Sequence, residues 1–145
     1  MENALAPWRT TLAAAAVIAA TNLVVLAVGH LAGADMRVAQ TAGSTATEVG
    51  VGSVLLMSAV PAILGGLTLW LAARHGVRAW RAVGWLGLAL GVLTIPMPFT
   101  VQASTGTSLT LASMHVVAGL VWLTAVHRAA VRQHDRSVVK VFHHA

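Results

Sequence analysis

The sequence has no cysteine and very little charge. The absence of cysteine excludes disulfide frameworks, thiolate catalysis, iron–sulfur ligation and quinone-linked thiol redox reactions. Only 9% of the 145 residues are charged, whereas an ordinary soluble domain has roughly 25%. The hydrophobic share is 57% and the mean hydropathy is +0.79, which is too apolar for a soluble fold of this size. We therefore expect an integral membrane protein.

Four segments carry almost no charge and are long enough to cross a bilayer as helices, at about residues 10–33, 49–73, 82–99 and 109–126. No linker or low-complexity tract divides the chain. The sequence therefore predicts an all-α membrane protein, a single domain over residues 1–145. We expect a bundle of four transmembrane helices followed by a short basic tail at residues 127–145.

Basic residues predict the orientation of these spans. With a cytoplasmic N-terminus, eight of the nine basic residues lie inside, and Arg37 alone lies outside. Trp8, Trp80 and Trp85 fall near the inner boundaries, where an indole ring is favoured. Both termini are therefore predicted to be cytoplasmic, in a bacterial plasma membrane. The net charge of +5 is interpreted as a topology signal rather than as nucleic-acid binding.

Two features of the outer side have alternative interpretations. The small residues Ala32, Gly33 and Ala34 resemble a signal-peptidase site, which would leave three spans, but the preceding apolar run is longer than a signal peptide needs. Retention of the first span is favoured. The loop at residues 34–48 is long enough for a small cap, although a solvated connector is the favoured prediction.

Small residues are expected where helices pack, because lipid supplies no hydrophobic force that drives helices together. Gly29 and Gly33 form a GxxxG pair in the first span, and Gly87 and Gly91 form another in the third. Gly65 and Gly66 lie in the second span, and Gly84 lies in the third.

Ionisable and polar residues within the spans are the candidate functional residues, because burying such groups in a membrane is costly. His115, His30 and Glu48 form a candidate acid/base set in the outer half of the bundle. Asn22, Ser58 and Ser113 are candidate ligand-binding residues. The alternative for His115 and Asn22 is a hydrogen bond that holds neighbouring helices together, and for His30 and Glu48 it is solvation at the membrane interface.

Other chemistries have no support in the sequence. No two histidines within one span have metal-ligand spacing, no HExxH occurs, and no GxSxG elbow or phosphate-binding loop is present. No strand is predicted. We therefore expect no metal and no cofactor.

The tail carries basic residues every fourth position, which form one stripe on a helix: Arg128, Arg132, Arg136 and Lys140. These four residues are predicted to contact lipid headgroups, with the tail lying along the inner leaflet. The alternative is an extension of the fourth span that contacts a cytosolic partner.

Two stretches carry a resemblance: residues 78–96 (RAWRAVGWLGLALGVLTIP) and residues 108–126 (SLTLASMHVVAGLVWLTAV). They resemble an uncharacterised family of small four-span membrane proteins of actinobacteria. The resemblance implies the topology and a bacterial source, and it implies no substrate. Small multidrug exporters instead carry a glutamate in the middle of the first span, where this chain has Thr21 and Asn22.

Three functions are consistent with these features. The leading hypothesis is a small accessory or interaction protein that holds a lipophilic ligand and contacts membrane lipids, a protein partner or a second copy. The second is a membrane enzyme of cyclase or isomerase type, acting on an isoprenoid or similar metabolite through His115 with His30 or Glu48. The third is a small oligomeric transporter, which the lack of charge at mid-membrane disfavours.

Overall fold

The computed structural model describes the backbone of residues 5–142 and the side chains of residues 7–132. This part of the chain is mostly helical, with helices α1 (Leu5–Leu31), α2 (Val51–Ala72), α3 (Gly76–Leu93) and α4 (Thr105–Phe142). Short 3-10 turns occupy Ala73–His75 and Met97–Phe99. Strands β1 (Arg37–Ala39), β2 (Thr47–Glu48) and β3 (Gln102–Ala103) form one small antiparallel sheet with the order β2-β1-β3.

Three segments within the described residues are long and apolar enough to cross a membrane: Pro7–Leu31, Val51–Phe99 and Thr105–Arg132. The second is 49 residues long and contains both α2 and α3, with the 3-10 turn between them. In the most apolar stretch of each segment only 28% of residues are buried inside the protein. Their remaining apolar surface requires lipid as its solvent, so the chain is an all-α membrane protein with a small sheet at one end.

Helix ends follow from local chemistry. Gly33 has φ +85°, a left-handed conformation that suits glycine, and Ala34 N–H donates to the Gly29 carbonyl at 3.0 Å. This is a Schellman motif, which ends α1. Gly76 has φ +82° and separates α2 from α3. The third helix consequently begins six residues before the predicted position 82, and it includes Arg78 and Arg81.

Pairs of contacts show that neighbouring helices run antiparallel. A Cβ on Gly66 of α2 would meet the Thr11 side chain of α1, and Asn22 of α1 bonds Ser58 of α2. On α3, a Cβ at Gly91 would lie 3.2 Å from the Cα of Gly119 on α4. The two helices therefore approach through their backbones, as the small-residue prediction for this pair expects.

The glycine pair in α1 has two different roles. A Cβ on Gly29 would clash with Thr110 of α4, so Gly29 marks a packing seam. Gly33 has no neighbour within 4 Å. Its prediction as a packing residue is wrong, because its role is to end the helix.

The main core cluster surrounds Trp122 and contains these buried residues: Ala14, Ile18, Leu69, Trp80, Trp122, Val126, Ala129 and Ala130. The indole of Trp122 lies against Gly65 of α2 and Gly87 of α3, where side chains would overlap it. Its Nε1 donates to the Val83 carbonyl at 3.2 Å. One side chain of α4 thus packs against both α2 and α3.

Trp80 is buried inside the bundle rather than exposed to lipid. It is 1% exposed and belongs to the core cluster, so its predicted position with the ring in acyl chains and the N–H among headgroups is wrong. Trp8 and Trp85 are partly exposed as that prediction requires, and Trp70 is too. The Arg74 guanidinium lies 5.2 Å from the ring centroid of Trp70.

The loop after α1 is a cap rather than a solvated connector. Its strand β1 pairs with β2 on one side and with β3 on the other, through Val38 opposite Ala103. Met36 and Ala39 are buried beneath the sheet. The expectations of a solvated connector and of no strands are therefore wrong. The partner strand β3 is about 65 residues away in the sequence, and local residue patterns do not predict pairing over that distance.

We call the end of the bundle with this sheet the cap end. The opposite end, with Arg74, Arg78 and Arg81, is the basic end.

Gly87→Val is expected to destabilise the bundle, because its side chain would overlap the Trp122 indole. Overpacking of this kind costs about 1–3 kcal/mol. Thermal unfolding of the purified protein in detergent measures the effect. Ala89→Val, at an exposed position of the same helix, is the matched control and is expected to unfold close to the parent. The double variant G87V with Trp122→Leu should recover part of the loss. An unchanged unfolding temperature for G87V would contradict this packing.

Candidate functional site

Three polar side chains join the two loops of the cap end. Asp35 Oδ1 accepts hydrogen bonds from the Thr107 hydroxyl at 2.7 Å and from the Ser104 hydroxyl at 2.8 Å. Ser104 precedes the first residue of α4, and its Oγ accepts the Thr107 N–H at 3.3 Å, which makes it the N-cap. The carboxylate of Asp35 also lies next to the positive end of the α4 dipole. We call these three residues the cap cluster.

Met36 links the cap cluster to the start of α2. Its N–H donates to Thr107 Oγ1 at 3.0 Å, and its carbonyl accepts the Val49 N–H at 2.7 Å. Met36 has φ 49°, an unusual conformation for a residue with a side chain. Its side chain is fully buried, so packing and both hydrogen bonds hold this backbone in place.

The cap cluster favours the ionised form of Asp35. Hydrogen bonds from Thr107, and next from Ser104, lower the pKa of Asp35 below its ordinary value of 3.8. A group with a lowered folded pKa stabilises the fold fully above its unfolded pKa. That contribution is lost as the pH falls through the folded pKa, which here lies below 3.8.

An open groove of about 390 Å³ lies between α1 and the start of α2 at the cap end. Its walls are mostly apolar, and its polar side chains are His30 and Glu48, both of which are exposed. The lining residues are Leu23, Leu26, Ala27, His30, Glu48, Gly50 and Val51. The structure thus brings two members of the predicted acid/base set to one place.

His115 does not line this groove. Its Nδ1 lies 2.8 Å from the Leu111 carbonyl one turn earlier in α4, and the side chain is half-buried. Ser113, which is exposed, likewise donates to the carbonyl of Leu109 in its own helix at 2.8 Å. These two residues therefore lie apart from the other candidates, and their predicted roles stay predictions.

Asn22 and Ser58 join α1 to α2 inside the bundle. Asn22 Nδ2 donates to Ser58 Oγ at 3.1 Å, and both side chains are buried. Within the described residues, Asn22 Oδ1 has no hydrogen-bond partner. The contact matches the expected alternative of a polar link between helices.

At the basic end, α4 continues without interruption to Phe142, so no break separates the predicted basic stripe from the fourth apolar segment. Arg128 and Arg132 are exposed. The side chains of Arg136 and Lys140 lie outside the described residues.

Sequence analysis missed the cap cluster. Asp35 lies 69 and 72 residues from its two partners, and no periodic pattern connects positions so far apart. The available signal was local: residues 104–108 (STGTS) are serine, threonine and glycine, the residue types that favour an N-cap, shortly before the apolar run that begins at Leu109.

The profile of one protein family, described as Family of unknown function (DUF6069), matches residues 3–132. Two of the four residues of the basic stripe, Arg136 and Lys140, lie beyond the matched region. No curated protein and no solved structure matches the chain.

Asp35→Ala is expected to loosen the cap, because it removes the shared acceptor of Ser104 and Thr107. Asp35→Asn should have a smaller effect, since an amide oxygen still accepts but without charge assistance. Hydrogen–deuterium exchange over residues 34–49 measures the loosening. Glu48→Gln, which neutralises the other carboxylate of this end, is the control and should leave exchange at Met36 unchanged. A probe on Ser44→Cys should also gain mobility as the pH falls through the lowered pKa of Asp35 in the parent but not in the Asp35 variants. Equal exchange in all proteins would contradict the role of the cap cluster.

Proposed function

We propose that this chain, which belongs to the Family of unknown function (DUF6069), is a small accessory protein of the bacterial plasma membrane that binds one lipophilic ligand. The ligand lies in the groove between α1 and α2 at the cap end. The chain crosses the membrane four times and both termini are cytoplasmic. Its resemblance to small membrane proteins of actinobacteria supports the bacterial source.

The observation that carries this proposal is the distribution of polarity in the groove. Leu23, Leu26 and Ala27 provide an apolar wall on α1. His30 lies further along the helix toward the cap, about 10 Å beyond Leu23 and about 5 Å beyond Ala27. The volume of about 390 Å³ lies within the usual range of about 300–1,000 Å³ for small-molecule sites. An amphipathic molecule fits this arrangement, with its apolar part along α1 and its polar end between His30 and Glu48.

His30 and Glu48, which form the polar rim of the groove, predict the chemistry of the ligand's polar end. An ionised carboxylate only accepts hydrogen bonds, so Glu48 favours a ligand that carries a hydroxyl or an amine. The imidazole of His30 both donates and accepts, and it lies at the interface, where water is available to the ligand headgroup.

Sheet pairing supports the four-span topology. Strand β1 precedes α2 and strand β3 follows α3, and the two pair directly through Ala39 and Gln102. This pairing brings the two ends of the 49-residue apolar segment Val51–Phe99 together, which supports two crossings of the membrane by that segment. The concentration of arginine at the other end supports a cytoplasmic location for it, by the positive-inside rule.

The enzyme hypothesis is the second candidate, and the shared location of His30 and Glu48 favours it. A histidine and a carboxylate in one groove are sufficient for proton transfer to and from a bound isoprenoid in a cyclase or isomerase reaction. The third hypothesis, an oligomeric transporter, has less support. Among the described residues, Thr11 is the only buried polar side chain between Asn22 and the basic end, and it donates to the Pro7 carbonyl of its own helix, whereas transport of a polar solute needs a polar path.

Ala27→Phe is expected to displace the ligand, because the larger side chain fills the groove. Ala20→Phe, two turns deeper on the same helix and outside the groove, is the matched control and should retain the ligand. Mass spectrometry of lipophilic molecules that copurify with each gently solubilised protein measures occupancy. Retention of the same molecules by both variants would contradict the site.

His115→Ala in the same measurement distinguishes a catalytic role of His115 from a purely structural hydrogen bond. Because His115 bonds its own helix and does not line the groove, we expect the ligand to remain bound. Loss of the ligand from this variant, with normal elution of the protein, would place His115 in the site and favour the enzyme hypothesis.

Cysteine labelling tests the topology without background, since the chain has no native cysteine. In intact cells, a membrane-impermeant maleimide should label Ser44→Cys and Gln102→Cys and should leave His75→Cys unlabelled. All three positions are exposed and lie in the connections between helices. Labelling of Ser44→Cys but not of Gln102→Cys would mean that the segment between them crosses only once. Labelling of His75→Cys alone would invert the orientation.

A further inference from the structure

A second groove, of about 360 Å³, lies at the basic end on the surface of α4. It is lined by His127, Arg128, Val131 and Arg132. Both arginines are exposed and lie one turn apart, so their guanidinium groups extend from the same face of the helix.

The floor of this groove is ordered by contacts with α3. The His127 Nδ1 lies 3.1 Å from the Leu123 carbonyl. Its ring meets the edge of Trp85, with ring centroids 5.9 Å apart and planes at 87°. Gly84 permits this approach, since a Cβ there would lie 3.1 Å from the His127 ring. The Trp85 indole is 58% exposed, so an apolar surface adjoins the basic groove.

The described charged side chains near this groove are cationic, since Asp35 and Glu48 both lie at the cap end. Asp135 follows Val131 by one turn of α4, and its side chain and that of Glu2 lie outside the described residues. Arg81 lies one turn nearer the basic end than Trp85, on the same face of α3. The groove therefore lies among cations contributed by two helices.

The depth of the groove matches a lipid headgroup. The uncharged run of α4 ends at Val126, and His127, Arg128 and Arg132 follow it in the sequence, so the groove lies where the apolar span ends. At that level the phosphates of the adjoining leaflet are within reach of arginine side chains, while Val131 and Trp85 contact acyl chains.

We propose that this groove binds an anionic phospholipid of the leaflet at the basic end. Arg128 and Arg132 hold the phosphate through charge-assisted hydrogen bonds, and Val131 with Trp85 contacts the beginning of an acyl chain. A soluble phosphate compound would use the arginines but would leave the exposed indole and valine unused. This lipid site is separate from the groove between α1 and α2, which lies at the other end of the bundle.

The test titrates the delipidated full-length chain in detergent with phosphatidylglycerol, or with phosphatidylcholine that has the same acyl chains. Native mass spectrometry counts the lipids bound to each protein. The double variant Arg128→Gln with Arg132→Gln is expected to bind phosphatidylglycerol about 100-fold more weakly, since each lost hydrogen bond to a charged group costs a factor of about ten. The matched control, Arg74→Gln with Arg78→Gln, removes the same charge from the same end outside the groove, and salt screening over about 10 Å should keep its effect below about threefold.

Val131→Glu provides a second test that keeps both arginines. Its carboxylate would repel the lipid phosphate, so binding of phosphatidylglycerol should also be lost, while elution of the variant at the volume of the parent protein would show that it is folded. Equal weakening by the two double variants would overturn the proposal, because it would show attraction to the whole basic end rather than to the groove. Equal binding of both lipids by the parent would overturn it too. Displacement of phosphatidylglycerol by millimolar inorganic phosphate would assign the site to a soluble anion instead.

Discussion

Helix association in this protein depends on the fit of the Trp122 indole against two glycines. In lipid, an apolar helix face gains little by exchanging acyl chains for another apolar face, so close packing and hydrogen bonds must supply the preference. Trp122 provides both, because it packs on Gly65 and Gly87 and donates to the Val83 carbonyl. A single side chain of α4 thereby specifies the position of α2 and α3, which contact each other less extensively than either contacts its other neighbour.

The arrangement of the cap end follows from this packing. Once α3 and α4 lie antiparallel, with Gly91 against Gly119, the connection between them must return across the top of the bundle. It places Ser104 and Thr107 beside Asp35, and the seam between Gly29 and Thr110 holds α1 against α4 at the same level. The sheet is too short to be stable alone. Its strands are held by the cap cluster and by the buried side chain of Met36.

Sequence reasoning predicted the features that depend on composition or on local chemistry. Apolar run length predicts membrane spans because the bilayer imposes a length, and the structure confirms long apolar helices. It misplaced Trp80, since a tryptophan near a helix end is compatible with either the interface or the core, and only packing against Val126 and Ala130 decides. It missed Asp35 entirely. The partners of that residue lie about 70 positions away, and their meeting depends on the assembled bundle.

Polar residues within spans are weaker functional indicators than the free-energy cost of placing them in lipid suggests. Many of them form their hydrogen bond with a backbone carbonyl of their own helix. Among the described residues, seven donate to a carbonyl four residues earlier: Thr11, Thr21, Thr68, Thr94, Thr110, Ser113 and Thr124. His115 has the same geometry with Leu111, so its presence in a span requires no ligand. The exposed rim formed by His30 and Glu48 differs, because these groups adjoin open space rather than their own backbone. Hydrogen-bond partners therefore distinguish candidates of the same residue type. They favour His30 and Glu48 on the rim of the groove over His115 within the fourth span.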